Sequence, residues 1–155
     1  LMGLQAGEVE DIVIAGMGGP LMEKILTEGN EVLQTVTELV LQPQSEIGHF
    51  RRFLIENGYE ITHEEMILED GKYYPIMRAV HGKAKEQTEA EYLYGKKLLQ
   101  NRNPVLKEFL DREQVKAEEL LEKLKNSQTP SAKARISELE KEWKDRKEAL
   151  TYYEV

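Results

Sequence analysis

The chain has 155 residues, 40% of them apolar and 32% charged, with 21 Lys and Arg against 29 Asp and Glu for a net charge of −8. That suffices for one ordinary domain, or for a small domain with an appendage. It has no cysteine, which excludes disulfides, thiolate zinc sites and a cysteine nucleophile; no apolar run approaches the roughly 20 residues that span a bilayer and no signal peptide opens the chain, so a soluble cytoplasmic protein is expected.

Leu1 to Glu10 reads as the end of one element and an acidic lead-in. Asp11-Ile12-Val13-Ile14-Ala15-Gly16-Met17-Gly18-Gly19-Pro20-Leu21 follows, a short apolar run that passes through three glycines into a helical pattern. Ile12, Val13 and Ile14 are β-branched and apolar on both pleat faces, as in a strand covered from both sides in a parallel sheet. The glycines relieve the limits on φ and let another molecule approach the backbone, and Pro20 suits the first turn of a helix. Ligands of open parallel sheets bind beyond the carboxyl ends of the strands, where this loop falls.

The next helix is predicted from about Gly19 to Glu28, with a break at Gly29-Asn30 and one more turn through Val32 and Leu33. A second buried strand, Glu38 to Gln42, ends at Pro43. Ser45 is placed to cap a helix whose apolar positions are Ile47, Phe50, Phe53 and Leu54, ending at Asn57-Gly58. Two strands, about Tyr59 to Leu68 and Lys72 to Val80, meet at Asp70-Gly71, a hairpin signal. The order is β-α-β-α-β-β, parallel units closed by an antiparallel hairpin. Doubly wound sheets usually hold more strands, so the pattern reads as the second half of one, with the glycine loop at or near a sheet edge.

Charge divides the chain near His81-Gly82-Lys83. Residues 1–82 carry 5 Lys and Arg against 14 Asp and Glu, whereas residues 83–155 carry 16 against 15. Neither part is basic enough for charge alone to indicate nucleic-acid binding. Residues 1–82 are expected to form a partial α/β domain and residues 83–155 a helical linker and a two-helix coiled coil. A helix around Glu89 to Gln100 connects them. Asn103-Pro104 opens a long helix with Leu106, Phe109, Leu110, Ala117, Leu120, Leu121 and Leu124 on one side. After Asn126 to Pro130, a second carries Ala132, Ile136, Leu139, Trp143, Leu150 and Tyr153, with Arg146 interrupting the stripe. An antiparallel helical hairpin is predicted.

Four stretches in this order, Ile14-Ala15-Gly16-Met17-Gly18-Gly19, Leu41-Gln42-Pro43-Gln44, Glu69-Asp70-Gly71-Lys72-Tyr73-Tyr74 and Asn103-Pro104-Val105, resemble the bacterial tRNA adenine N1-methyltransferases that modify tRNA position 22 with S-adenosylmethionine. The resemblance implies a Rossmann-like class I methyltransferase sheet followed by a coiled coil, here without the family's opening half and so inactive alone. It implies tRNA as partner, no metal and no membrane. Ala15, Gly16, Met17, Gly18 and Gly19 would then form one wall of the cofactor site, and Gln42, Pro43, Gln44, Lys72 and Tyr73 would face the substrate base. Two copies associating through the sheet edge or the hairpins is compatible with the same pattern.

Methyl transfer from a sulfonium is an in-line displacement, and adenine N1 has a free lone pair, so positioning rather than a strong base carries the rate. A paired adenine would have to leave its stack first, and Tyr73 or Tyr74 could stack on it. Plainer roles stand beside these: the glycines are equally suited to a tight turn alone, Gln42-Pro43-Gln44 is a loop after a strand, and one tyrosine of the pair packs in the core. His49, His63 and His81 lack metal-ligand spacing. Arg51 and Arg52 beside His49 form a basic cluster suited to phosphate or to a solvated helix face. In the helical part Lys96, Lys97, Arg102, Lys107, Lys133 and Arg135 could track an RNA backbone. A nicotinamide-dinucleotide oxidoreductase fits less well, since Leu21 replaces the third fingerprint glycine and Gln42 stands where an acidic ribose ligand is expected. A non-enzymatic coiled-coil RNA- or protein-binding module fits the tail but leaves the glycine loop unexplained.

Overall fold

The computed structural model describes Leu1 and residues 3–154. Four strands, β1 (Asp11–Met17), β2 (Glu38–Pro43), β3 (Tyr59–Glu69) and β4 (Lys72–His81), form one sheet in the order β1-β2-β4-β3. β1 and β2 are parallel, with Ile12 beside Leu39 and Ile14 beside Leu41. β4 runs antiparallel to both of its neighbours. This matches the expected order, parallel strands closed by an antiparallel hairpin, and β1 forms one edge of the sheet.

One face of the sheet is covered by α1 (Gly19–Glu28), α2 (Asn30–Leu33) and α3 (Ile47–Glu56). Ile14, Leu39, Leu41, Met77 and Ala79 of the strands meet Met22, Leu26, Phe50 and Leu54 of the helices in one core. Coverage of both faces, expected for β1, does not hold: Val13, on the opposite pleat from Ile14, is 69% exposed. On that face Arg78 pairs with Glu38 and donates to Thr62 Oγ1 at 3.1 Å.

Beyond the sheet, α4 (Glu89–Tyr94) and α5 (Lys96–Gln100) stand where a single helix was predicted. Thr88 and Glu91 cap α4 reciprocally. The break falls at Gly95, whose φ of 96° and ψ of 112° leave helical space. A Cβ there would lie 2.6 Å from Glu64 Oε2 and 3.0 Å from Arg51 Nη2, so only glycine fits against that pair.

Two long helices, α6 (Pro104–Leu124) and α7 (Pro130–Thr151), then form the antiparallel hairpin. Asn103 Oδ1 caps α6 by accepting from the amides of Val105 and Leu106, both at 3.0 Å. The antiparallel sense is fixed by Arg146 Nε donating to Gln114 Oε1 at 2.8 Å and the Tyr153 hydroxyl donating to Asn103 O at 2.7 Å. Arg146, which breaks the apolar stripe in sequence, is 3% exposed, so the seam encloses a charge. At the hairpin's base, Leu98, Leu99, Leu106, Leu110 and Ala149 make a second core that takes in Met66 of β3.

Candidate functional site

β1 and β2 end side by side, and their loops are stitched together. The Gln44 amide donates to Met17 O at 2.8 Å and the Gly19 amide to Ser45 O at 3.0 Å. This corrects the expected role of Ser45: the residue before α3 is Glu46, at φ 47° and without a side-chain cap, while Ser45 is turned toward the glycine loop. A Cβ on Gly19 would lie 2.5 Å from Ser45 O, and one on Gly18 2.7 Å from Ser45 Oγ. These two glycines therefore allow close packing of one loop on the other. Gly19 is buried and its amide is already spent.

Gly16 is different. It sits in the bulge where the β1–β2 register shifts, at φ +75°, with no atom within 4 Å of where its Cβ would be. Its conformation needs glycine, yet among the described residues nothing fills the space beside it. Ala15 and Gly16 are exposed and Met17 and Gly18 half-buried, so an open backbone surface runs along the end of the sheet's edge strand.

Next to it, Asp70 (φ 51°) and Gly71 (φ 76°) turn the β3–β4 hairpin, which brings Lys72 and Tyr73 against α6. Gln44, Lys72, Tyr73, Tyr74, Phe109 and Arg112, with Glu113 and Lys116, line a cleft of about 290 Å³. The Tyr73 ring meets Phe109 edge-on at 5.2 Å. Its hydroxyl donates to Glu108 Oε1 at 3.0 Å and accepts from Arg112 Nη1 at 3.1 Å, while the Arg112 guanidinium lies 5.5 Å from the ring centroid. The bond to Tyr73 raises the Arg112 pKa above its ordinary value.

Of the residues expected to face a substrate, Gln44, Lys72 and Tyr73 come together in this cleft. Gln42 and Pro43 do not line it: Gln42 is half-buried opposite Ala15, and Pro43 is buried opposite Met17. Tyr74 reaches the cleft as well, so neither tyrosine is confined to the core. Arg112 and Lys116 escaped the sequence reading. Their signal was the four-residue step Glu108, Arg112, Lys116, which lines up one side of α6.

The basic cluster around His49 belongs elsewhere. Arg51 is 1% exposed, pairs with Glu64 through Nε (3.0 Å) and Nη2 (2.9 Å), and donates from Nη1 to the carbonyls of Tyr92 and Leu93, both at 2.8 Å. Arg52 pairs with Glu89 at 2.9 Å and lies 4.1 Å over the Tyr92 ring; His49 bonds Glu23 at 3.0 Å. The three residues hold α3 to its neighbours rather than forming a phosphate patch. Among the described residues no three His, Cys, Asp or Glu side chains converge as a metal site, and no helix is long and apolar enough to cross a membrane.

Comparison with known proteins bears on this arrangement. The family model described as tRNA (adenine(22)-N(1))-methyltransferase matches residues 1–148. The chain is 38% identical over 79 residues to the tRNA (adenine(22)-N(1))-methyltransferase of Bacillus subtilis (strain 168), a match covering 51% of this chain and 33% of that protein. The crystal structure of the B. subtilis m1A22 tRNA methyltransferase superposes with a TM-score of 0.79 at 29% identity, over 95% of this chain and 65% of that one. A Streptococcus pneumoniae protein solved in complex with S-adenosyl-L-methionine superposes with a TM-score of 0.71 at 30% identity, over 91% of this chain and 60% of that one. The sequence match thus covers about a third of the length of this curated relative, and the superpositions cover less than two thirds of the solved ones.

Proposed function

This chain belongs to the tRNA (adenine(22)-N(1))-methyltransferase family, and from that premise we propose that it supplies the substrate-facing part of a cytoplasmic enzyme that methylates N1 of an adenine in tRNA, at position 22, using S-adenosylmethionine. The observation that carries the reading is the adjacency of two features: an open glycine surface at the end of β1, and a cleft lined by three aromatic rings and three cations on the hairpin and α6. The Gln44 amide bond to Met17 O joins them.

The residues present fit one wall of the cofactor site, because Gly16 leaves free the space that a side chain would fill. Ala15, Gly16, Met17 and Gly18 would line that wall, while Gly19 supports it through Ser45. When bound, the cofactor supplies an electrophilic methyl carbon, and adenine N1 meets it with a free lone pair. This chain's part is to position that base. Tyr73, steadied by Phe109 and Arg112, offers a stacking face. Gln44 can hydrogen-bond the base edge, and Lys72 can hold a flanking phosphate. Correct placement of the two reacting atoms is worth about 7–11 kcal/mol of the barrier.

The relatives are longer, and β1 has a free edge along which further strands can pair. Methylation is therefore assigned to a version of family length, and the 155 residues alone are expected to be inactive. The test is transfer of labelled methyl from S-adenosylmethionine to a tRNA transcript by a family-length version, compared with nicotinamide dinucleotide binding by the same protein. Dinucleotide binding without methyl transfer would replace this reading with the oxidoreductase one, and neither activity would favour a non-enzymatic module.

A further inference from the structure

A second polar cavity, of about 210 Å³, lies away from the cleft, between the start of β3 and the segment that leads into the helical hairpin. Lys83, Lys85, Lys96 and Lys97 surround it. Among the described residues none of the four ammonium groups has a carboxylate within 4 Å, although lysines 107, 116 and 125 all do. Glu64 also borders the cavity, but both of its oxygens are taken by Arg51. Glu60 is left as the opposing charge.

We infer that this cavity binds phosphates of the RNA sugar-phosphate backbone, an interaction that rests on the methyltransferase reading for the identity of the RNA. With a net charge of −8, the protein repels a polyanion at long range, so RNA must be held by local concentrations of positive charge. Four lysines against one carboxylate around a single concavity make such a concentration. Ile61 borders this cavity, and Glu69 adjoins the hairpin tip at the cleft. The eight residue steps of β3 from Ile61 to Glu69 span roughly 25 Å. One nucleotide cannot reach both places, whereas a folded RNA can, which selects a polynucleotide over a free nucleotide.

The test is binding of a labelled, unmodified tRNA transcript to this 155-residue chain by fluorescence anisotropy, at salt concentrations between about 50 and 200 mM. Substituting all four (Lys83→Gln, Lys85→Gln, Lys96→Gln, Lys97→Gln) is expected to reduce the slope of log affinity against log salt by about 2–4, at roughly 0.9 for each phosphate no longer neutralised, and to weaken binding at least about tenfold at the low-salt end. The same four positions changed to Arg should retain the parent slope. A charge-matched control with Gln at lysines 123, 125, 141 and 147 should lose markedly less.

An unchanged slope in the Gln variant overturns the inference, as does an equal loss in the control or no RNA binding by the parent chain. Inorganic phosphate that titrates the lysine ammonium resonances, while RNA leaves them unmoved, would also overturn it, because the site would then serve a small anion. Methyl transfer by the family-length protein is measured separately. Transfer with an unchanged slope sinks only the inference, whereas a slope reduced on substitution without transfer sinks only the enzymatic assignment.

Discussion

Arg51→Met is the substitution whose effect follows most directly from the structure. The guanidinium is 1% exposed and donates four hydrogen bonds, two to Glu64 and two to the last carbonyls of α4. Methionine fills comparable volume but leaves a carboxylate that is 4% exposed without its counter-charge. Breaking a buried pair from one side costs about 3–5 kcal/mol, a large part of the roughly 5–15 kcal/mol that a domain of this size has. The double variant Arg51→Met with Glu64→Leu removes both charges and should recover to within about 1–2 kcal/mol of the parent, so that it is more stable than the single variant. Urea unfolding followed by circular dichroism at neutral pH measures the parent, the two single variants Arg51→Met and Glu64→Leu, and the double variant. Amide hydrogen exchange in α4 and α5 should rise in the single variant, since those helices lose the anchor on their carbonyls. A cost below about 1 kcal/mol for Arg51→Met, or a double variant as damaged as the sum of the singles, would refute the coupling.

Two further outcomes concern the site and a third the helical hairpin. Gly19→Ala places a methyl 2.5 Å from Ser45 O and should destabilise by about 1–3 kcal/mol in urea unfolding, whereas Gly16→Ala meets only the cost of its φ, about 1–2 kcal/mol, yet should cost the family-length protein most of its S-adenosylmethionine affinity by calorimetry. Tyr73→Phe keeps the ring and should change KM for tRNA little, while Tyr73→Ala should raise it about 5- to 100-fold through loss of stacking; equal effects would remove Tyr73 from base recognition. Burial and, to a lesser extent, the Asp111 charge push the Tyr153 hydroxyl up to about 12, and its folded pKa is therefore above the unfolded value near 10. The stability it contributes is fully present below about pH 10 and is lost as pH rises toward about 12; Tyr153→Phe should flatten the fall in thermal midpoint across that window.

Elements with a local cause were legible in the sequence. Asp70-Gly71 specifies its hairpin, Asn103-Pro104 starts α6, and the glycine run ends β1, because each acts through its own φ or its own cap. What was missed depended on partners far along the chain. Ser45 carries an N-cap signature, yet its carbonyl is engaged by Gly19, 26 residues earlier. Arg51 reads as surface charge until Glu64 and the end of α4 enclose it, with Gly95 packed against the pair where a side chain would not fit. Val13 has the composition of a buried strand residue, but burial depends on what lies beyond the edge. In the candidate site, the loop and the hairpin tip were named from motifs, whereas Arg112 and Lys116 emerged only once α6 was laid against the hairpin.

The methyltransferase assignment is tested most directly by the position of the methyl group on tRNA after incubation with S-adenosylmethionine and the family-length protein, read by nucleoside mass spectrometry. The expected product is N1-methyladenosine at position 22, with yield lost in Gly16→Ala and Tyr73→Ala proteins that remain folded. Methylation at another atom, or full yield from both variants, would contradict the assignment.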